Sequence, residues 1–340
     1  MTQTPPLKVV IAGSGSIGCY VGGMLASGGA DVHFFARERI AKDITKNGLK
    51  LSDWTGRSES LTPQQFNVSL EKDIFKGADL ILVCVKSKDT AEMAQTIKDS
   101  GNTTASIFSL QNGVANTQEI RQVLPHHTVL TVMVPYNVVY QNGGIFHCGT
   151  EGALYCQDHE KAKPLQALAE QANLGLELKE DMASILWGKL LLNLNNPINA
   201  LSGIPLKQQL ETAGFRKIFK KSMQEGLQVL KAAGIAPGQV AAIPMFLVPT
   251  FLSLPDWIFT RVAHKMLSMD PKARSSMWED LQSRRPVEVD YINGEIVKLG
   301  EQFKVPTPMN KRLIKMVKKA QVRGEGSPNL AAEQILNQAN

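Results

Sequence analysis

Six residues near the start of the chain, Gly13-Ser14-Gly15-Ser16-Ile17-Gly18, carry glycines at the G-x-G-x-x-G spacing. They directly follow the apolar run Lys8-Val-Val-Ile-Ala12 and open a stretch of small and apolar residues from Ile17 to Gly28. A strand that turns through glycines into a helix is the context in which this spacing has chemical meaning. Gly13 permits the tight turn, Gly15 lets a pyrophosphate approach the backbone, and Gly18 lets the helix pack close to the strand. The helix N-terminus then offers free N–H groups and the positive end of its dipole to phosphates. The plain alternative is a structural glycine turn. At the end of the next apolar run stands Phe35-Ala36-Arg37-Glu38. The planar fork of Arg37 suits a ribose 2′-phosphate, which favours NADPH; Glu38 next door could instead face a ribose hydroxyl.

Two further strand ends carry polar residues, Lys86 after Val85 and Asn112 in Gln111-Asn112-Gly113. The carboxyl ends of strands in an open α/β sheet line its ligand crevice, so both are candidate cofactor contacts. The other chemically informative segment is Trp187-Gly-Lys189-Leu-Leu-Leu-Asn193-Leu-Asn-Asn196-Pro197. At about 100° per residue, Lys189, Asn193 and Asn196 share one narrow arc of a helix and leucines cover the rest. An otherwise apolar helix with one Lys/Asn stripe is buried with that stripe lining something polar, such as an anionic substrate, or else a polar seam. Pro197 is expected to bend or end this helix.

The elements that must position these groups change character along the chain. Up to about residue 180, apolar runs at Lys8–Ala12, Asp31–Ala36, Asp79–Val85, Ser106–Leu110 and Val129–Val134 alternate with helical stretches, which argues for a parallel sheet with right-handed crossovers. Ile145–Tyr155 reads as a strand pair closing this part, and Glu160–Ala172 as its last helix. From Asp181 strand signals stop. Helices are expected over Met182–Asn196, Phe215–Ala233, Lys272–Ser283, Glu288–Gln302 and Pro308–Arg323. The fold class is therefore α/β: an N-terminal Rossmann-type parallel-sheet domain over residues 1–180, an all-α C-terminal domain over 181–325, and a frayed tail over 326–340 with a short helix near Leu330–Leu336.

Composition narrows the function classes. The chain has 340 residues, 43% hydrophobic and 20% charged, with net charge +6. That is the make-up of a globular protein, and the modest positive excess suits a phosphate-bearing cofactor and an organic acid. The four cysteines form no CxxC pair and no metal-binding spacing appears. With the polar stretch Met1–Leu7 lacking a signal-peptide core, a cytoplasmic location is expected. The longest apolar stretch, Ile243–Phe259, is broken by prolines and reads as buried helical pieces rather than a membrane span, which needs roughly 20 apolar residues. The basic helix from Lys311 to Arg323 lacks aromatic interleaving and reads as a solvated face, so no nucleic-acid partner is expected. Long apolar helices in the second domain allow a homodimer.

From Lys8 to about Val322 the chain resembles the ketopantoate reductase (2-dehydropantoate 2-reductase) family. The likeness rests on GSGSIG, Val85-Lys86, Gln111-Asn112-Gly113 and the Trp-Gly-Lys helix. Ser275-Ser276-Met277 and Glu288-Val-Asp-Tyr-Ile-Asn-Gly294 add its most specific parts. The resemblance implies NADPH-dependent reduction of a 2-keto acid to a 2-hydroxy acid, 2-dehydropantoate to pantoate, on the route to pantothenate and coenzyme A. It implies that NADPH is held by Gly13 to Gly18, Arg37, Lys86, Asn112 and Glu288, and through the backbone at Asn137. It makes Lys189 the proton donor with Glu288 beside it. Asn112, Lys189, Asn193, Asn196 and Ser276 become substrate contacts. In the family the last asparagine of the lysine helix comes one residue later than Asn196, so either the helix is locally irregular or Asn195 or Asn199 substitutes. The asparagine that follows this helix in the family is replaced around Ser202-Gly-Ile-Pro-Leu206, which bears on substrate identity rather than reaction type. Two other readings fit the same loop: a related hydroxyacid dehydrogenase acting on another small acid, and a non-catalytic NADP(H)-sensing protein.

Overall fold

The computed structural model describes residues 6–150, 152–240, 242–263 and 270–337, so the expectation for Met1–Leu7 falls mostly outside them. The chain divides into two compact units, Met1–Met182 and Ala183–Asn340.

The first unit holds twelve strands among its described residues. They are β1 (Lys8–Ala12), β2 (Asp31–Phe35), β3 (Leu49–Asp53), β4 (Ser58–Leu61), β5 (Asn67–Ser69), β6 (Leu80–Val83), β7 (Ser106–Ser109), β8 (Val129–Met133), β9 (Val138–Tyr140), β10 (Ile145–Cys148), β11 (Leu154–Gln157) and β12 (Leu176–Lys179). Five helices lie among them: α1 (Ser16–Ser27), α2 (Glu38–Asn47), α3 (Thr90–Asp99), α4 (Asn116–Val123) and α5 (Lys163–Gln171). One sheet has the order β12-β11-β8-β7-β6-β1-β2-β5. From β5 to β8 every pairing is parallel, and β11 joins β8 antiparallel. This is the Rossmann-type α/β architecture expected from the alternation. Its central strands read as continuous apolar runs because both faces are covered. Val9 and Ile11 point into one core with α1, while Val10 and Ala12 point into another with Met93, Ala94 and Ile97 of α3.

One expectation for this unit needs correction. Ile145–Tyr155 is not a strand pair. Its halves, β10 and β11, part company: β11 pairs with β8 and β12, and β10 joins a second sheet of order β4-β3-β10-β9. There β10 runs parallel to β3, with Phe146 opposite Leu51. One more strand, β12, follows α5 just before Asp181, where the expected change to helices sets in.

The second unit is helical among its described residues, as expected. Its helices are α6 (Met182–Asn193, beginning at the unit boundary), α7 (Asn196–Ser202), α8 (Leu206–Glu211), α9 (Ala213–Ala232), α10 (Val248–Phe251), α11 (Asp256–Val262), α12 (Ser276–Gln282), α13 (Val289–Gln302), α14 (Pro308–Arg323) and α15 (Ala332–Asn337). The single helix expected over Met182–Asn196 is split. Pro197 has no N–H to give the carbonyl of Asn193, so α6 ends there and α7 begins with Pro197 in its first turn. The helix expected from Lys272 also starts later, at Ser276, because Ser275 caps it: its Oγ accepts from the Trp278 N–H at 3.2 Å.

Polar anchors hold these helices. Glu225 on α9 caps α14, its carboxylate accepting from the N–H groups of Met309 (2.7 Å) and Asn310 (3.0 Å). Arg216 on α9 is 1% exposed. It donates to the carbonyls of Leu210, Leu252 and Leu254, and to Asp256 at 2.6 Å, and stacks on Phe259. It thus pins the proline-broken segment expected to form buried helical pieces, although Phe246 and Trp257 on that segment are exposed. The basic helix α14 is partly paired, Lys311 with Glu301 and Lys318 with Asp290. Among its described residues the tail is packed rather than frayed, and α15 is the short helix expected near Leu330–Leu336. The Leu330 N–H donates to the Leu201 carbonyl, Ile335 is fully buried, and Arg312 donates to the Leu336 carbonyl. No helix among the described residues is long and apolar enough to cross a membrane.

Replacing Arg216 by methionine strands three carbonyls with no other charged donor on them. Urea unfolding of Arg216→Met is expected to show a loss of about 3 kcal/mol in stability.

Candidate functional site

In the first unit, β1 delivers the glycine loop. Gly13 has φ +105°, and a Cβ there would lie 2.6 Å from Val85 Cγ1 and 2.9 Å from the Val85 nitrogen. A Cβ on Gly18 would lie 2.3 Å from the Gly13 carbonyl oxygen. Both glycines are therefore required by the chain itself, one by turn and contact, the other by helix–strand approach. Gly15 is different. Its φ is an ordinary −80°, it is exposed, and a Cβ there would meet nothing within 4 Å. Nothing inside the protein demands a glycine at that point, so the open space is free for something outside it. Gly15 caps α1 without a side-chain hydrogen bond, and Ser16 and Ile17 form the first helical turn. Its N–H groups and dipole thus fit a pyrophosphate. Ser14 is turned inward, its Oγ donating to the Phe35 carbonyl at 3.0 Å, which ties the loop to the end of β2.

The neighbouring strand ends carry the other expected groups. Arg37 follows β2 as the residue capping α2, with its side chain 84% exposed. Its Nη2 donates to Asp89 at 3.0 Å. Glu38 pairs instead with Lys42 on its own helix. Lys86 follows β6 and Asn112 follows β7, both partly exposed. A buried polar network that the sequence reading missed holds these two loops together. Gln111 Nε2 donates to the Val85 carbonyl (3.1 Å) and to Thr90 Oγ1 (2.7 Å). Ser87 Oγ donates to the Asn112 carbonyl at 3.0 Å, and Asn116 Nδ2 donates to the same oxygen. The Thr90 hydroxyl lies within 2.9 Å of Asn116 Oδ1 and 2.8 Å of the Ser87 carbonyl and gives its proton to one of them. Gln111 was the visible signal, since it adjoins Asn112; Thr90 and Asn116 sit inside helical stretches that carry no mark. Asn137 lies past β8, but its N–H already donates to Thr150 Oγ1 (3.1 Å) and its carbonyl accepts from Gly149.

In the second unit, α6 presents Lys189. The residue before it is glycine because the Gly238 carbonyl would lie 2.2 Å from a Cβ at Gly188. Gly226 on α9 makes a similar close approach to Leu191 and Leu194. These contacts fix the helix in rotation and depth. Burial pushes the Lys189 amine down to about 8, with the Glu288 carboxylate acting in the opposite direction. Glu288 is 7% exposed and precedes α13 as its capping residue, yet its side chain makes no cap hydrogen bond. Its charge is felt by the lysine. An amine poised near neutrality beside a buried carboxylate can hold a proton and release it.

Asn193, one turn beyond Lys189, ends α6 and is partly exposed. Asn196 does not continue the stripe, because it begins α7 after the break; it is partly exposed, and its carbonyl accepts from Ser275 Oγ at 3.2 Å. Asn195 and Asn199 are committed elsewhere. Asn195 exchanges hydrogen bonds with Gln209, and Asn199 donates to Gln209 and to the Ile204 carbonyl and accepts from the Ser275 N–H at 2.8 Å. The local irregularity allowed for in the sequence is thus a true break, and the neighbouring asparagines serve as struts. Both tie α7 and the turn before it to Gln209 of α8, and Asn199 also holds α7 to the start of α12, where Ser276 is the first helical residue and partly exposed. In the loop Ser202–Leu206, Gly203 adopts φ +72° directly under Asn329.

Comparison with known proteins gives a consistent result. Residues 9–161 match the family described as ketopantoate reductase PanE/ApbA, and residues 181–321 match its C-terminal part. A 2-dehydropantoate 2-reductase from Halobacterium salinarum is 24% identical over 94% of this chain and 100% of its own length. One from Pyrococcus horikoshii is 27% identical over the same shares. Among solved structures, a PanE/ApbA family ketopantoate reductase from Ralstonia eutropha superposes with a TM-score of 0.79 at 28% identity, covering 94% of this chain and all of that one. D-mandelate dehydrogenase in a ternary structure with NADH and anilino(oxo)acetate gives 0.77 at 19% identity over 94% of this chain and 99% of that one, which is a likeness of fold. A chain matched along both of its units, carrying the glycine cradle in one and a proton-poised lysine in the other, belongs to the ketopantoate reductase family of oxidoreductases.

Proposed function

We propose that this chain reduces 2-dehydropantoate to pantoate with NADPH, Lys189 giving the proton. The observation that carries the reading is Lys189 itself, held near neutrality by burial and kept protonatable by Glu288, in a chain of this family. The bound cofactor would supply a hydride to C2 of the keto acid. Everything else falls to the protein. The Lys189 ammonium stabilises the charge that develops on the carbonyl oxygen and then donates a proton from Nζ, completing the hydroxyl. Glu288 keeps enough positive charge on the amine for this, and its own burial keeps their interaction strong. The amides of Asn193 and Asn196 and the Ser276 hydroxyl are neutral groups that would orient the acid without competing for the proton. Gly13 to Gly18 would hold the pyrophosphate, Arg37 the 2′-phosphate, and Lys86 and Asn112 the parts of the cofactor nearer the sheet edge. The open space at Gly15 and the exposed Arg37 support that reading of the cofactor.

The direct test follows NADPH oxidation with 2-dehydropantoate and with bulkier 2-keto acids. Lys189→Ala is expected to lower kcat by about 10²- to 10⁴-fold while NADPH binding persists. Near-normal turnover would remove Lys189 from the chemistry. The pH dependence has a definite sign. Reduction needs the protonated amine, so kcat/KM for the keto acid should fall as pH rises through about 8, while oxidation of the hydroxy acid should rise over the same interval.

Gly15→Ala separates the cradle from the fold. With an ordinary φ and no neighbour within 4 Å, the added methyl should leave the melting temperature within a degree or two, roughly a change under 0.5 kcal/mol. It should nevertheless weaken NADPH binding at least about 10-fold in a calorimetric titration, because it occupies the space reserved for the pyrophosphate.

A further inference from the structure

We infer that Asp89 is a specificity-determining residue that limits how strongly this chain prefers a 2′-phosphorylated nucleotide; the inference rests on the cofactor reading above. Asp89 follows β6 at the end of a short 3-10 turn, Ser87–Asp89, and β6 and β2 flank β1 on either side. The topology therefore brings Asp89 beside Arg37, across the strand that delivers the glycine loop. One carboxylate oxygen, Oδ2, lies 3.0 Å from Arg37 Nη2, and the other, Oδ1, lies 3.0 Å from Lys88 Nζ. The carboxylate is largely sheltered, 15% exposed, while the Arg37 side chain is 84% exposed. Asp89 precedes α3 as its capping residue, yet its side chain makes no cap hydrogen bond. Its charge is spent on the two cations and not on its own helix.

This arrangement makes the 2′ position electrostatically ambivalent. Two cations and one carboxylate leave a single net positive charge there. A 2′-phosphate carries about −1.5 to −2 charges near neutral pH, as phosphate monoesters do. To use the fork of Arg37 it must share the guanidinium with Asp89 and tolerate a carboxylate close by. A 2′-hydroxyl meets no such penalty and can donate to the carboxylate while the Arg37 pair stays intact. The acidic group that other dinucleotide sites place at the end of the second strand is here supplied from the loop after β6, alongside the arginine. Arg37 pulls the site toward the phosphorylated nucleotide, and Asp89 pulls it back.

The test uses the whole protein and two ligands that lack nicotinamide, 2′-phospho-ADP-ribose and ADP-ribose, titrated calorimetrically. Asp89→Asn removes the charge and keeps the shape, and asparagine is as good a helix cap as aspartate. Asp89→Ser, also a good cap, repeats the measurement. The expected result is that the phosphorylated ligand binds about 3- to 10-fold more tightly in both variants while ADP-ribose does not tighten. The gain should shrink as salt is raised from 0.02 to 0.5 M, concentrations spanning roughly a fivefold change in Debye length. It should also shrink when Asp89→Asn is built on Arg37→Ala, since the two charges act on the same group. Equal shifts for both ligands, or none for either, would overturn the inference while leaving the cofactor reading in place. Failure of both ligands to bind the unmodified protein would overturn the cofactor reading and this inference with it.

Discussion

A lysine amine taken out of water loses its charge unless something restores part of what the water supplied. That balance at Lys189 is the constraint around which the second unit is organised. Burial lowers the amine toward neutrality and the Glu288 carboxylate opposes it. For the proposed proton donor, either effect alone would be harmful. Too much desolvation leaves a neutral amine with nothing to give, and too strong a carboxylate leaves an ammonium that will not let go. The balance depends on distance and on the exclusion of solvent, so the helix that bears the lysine must be held firmly. Gly188 does most of this, since a Cβ there would meet the Gly238 backbone carbonyl at 2.2 Å, and Gly226 on α9 lets the side chains of Leu191 and Leu194 pack close. The break that follows α6 completes the arrangement. It frees the next helix to turn and be fastened by Asn195 and Asn199 to Gln209 and Ser275.

The first unit, on the proposed reading, faces a different problem, how to present bare backbone to an anion without leaving it loose. Gly13 and Gly18 are consumed by internal contacts, and the Ser14 hydroxyl moors the loop to β2. Only Gly15 faces outward. At the adjoining strand ends, a network running through Gln111, Thr90, Ser87 and Asn116 fixes the loops that carry Lys86 and Asn112. Satisfied buried polar groups of this kind are stiff, because any displacement leaves a donor or acceptor unpaired in a low-dielectric setting.

How much of this was legible in the residues follows from the range of the interactions involved. The central strands announce themselves because a strand covered on both faces is apolar throughout, and Val9 to Ala12 or Leu80 to Val83 can be read locally. The second sheet could not be read that way. Leu49–Asp53 alternates polar and apolar residues, and its partner Ile145–Cys148 is distant in the chain, so only the folded register reveals that Phe146 sits opposite Leu51. Pro197 announced a disturbance of the lysine helix but not its place. The lost donor acts on the carbonyl of Asn193, and the chain therefore turns before the proline rather than at it. The glycine loop and the Lys/Asn pattern were visible as residue types. The ion pair of Arg37 with Asp89 was not, because it joins two loops that meet only when β2 and β6 flank β1.

The C-terminal segment has a consequence for the order in which the chain can mature. Asn329 lies directly over Gly203, Leu330 donates to the carbonyl of Leu201, and Ile335 fills a gap in the helical unit. The helix that follows the lysine helix, α7, is thus closed over by residues 329–335. During vectorial synthesis the N-terminal unit can fold while the remainder is still being made. The helical unit cannot close over α7 until Asn329 to Ile335 have also been made. The glycine loop can therefore be in place while the helix after Lys189 is still uncovered, and the short helix α15 is among the last pieces needed to seal it.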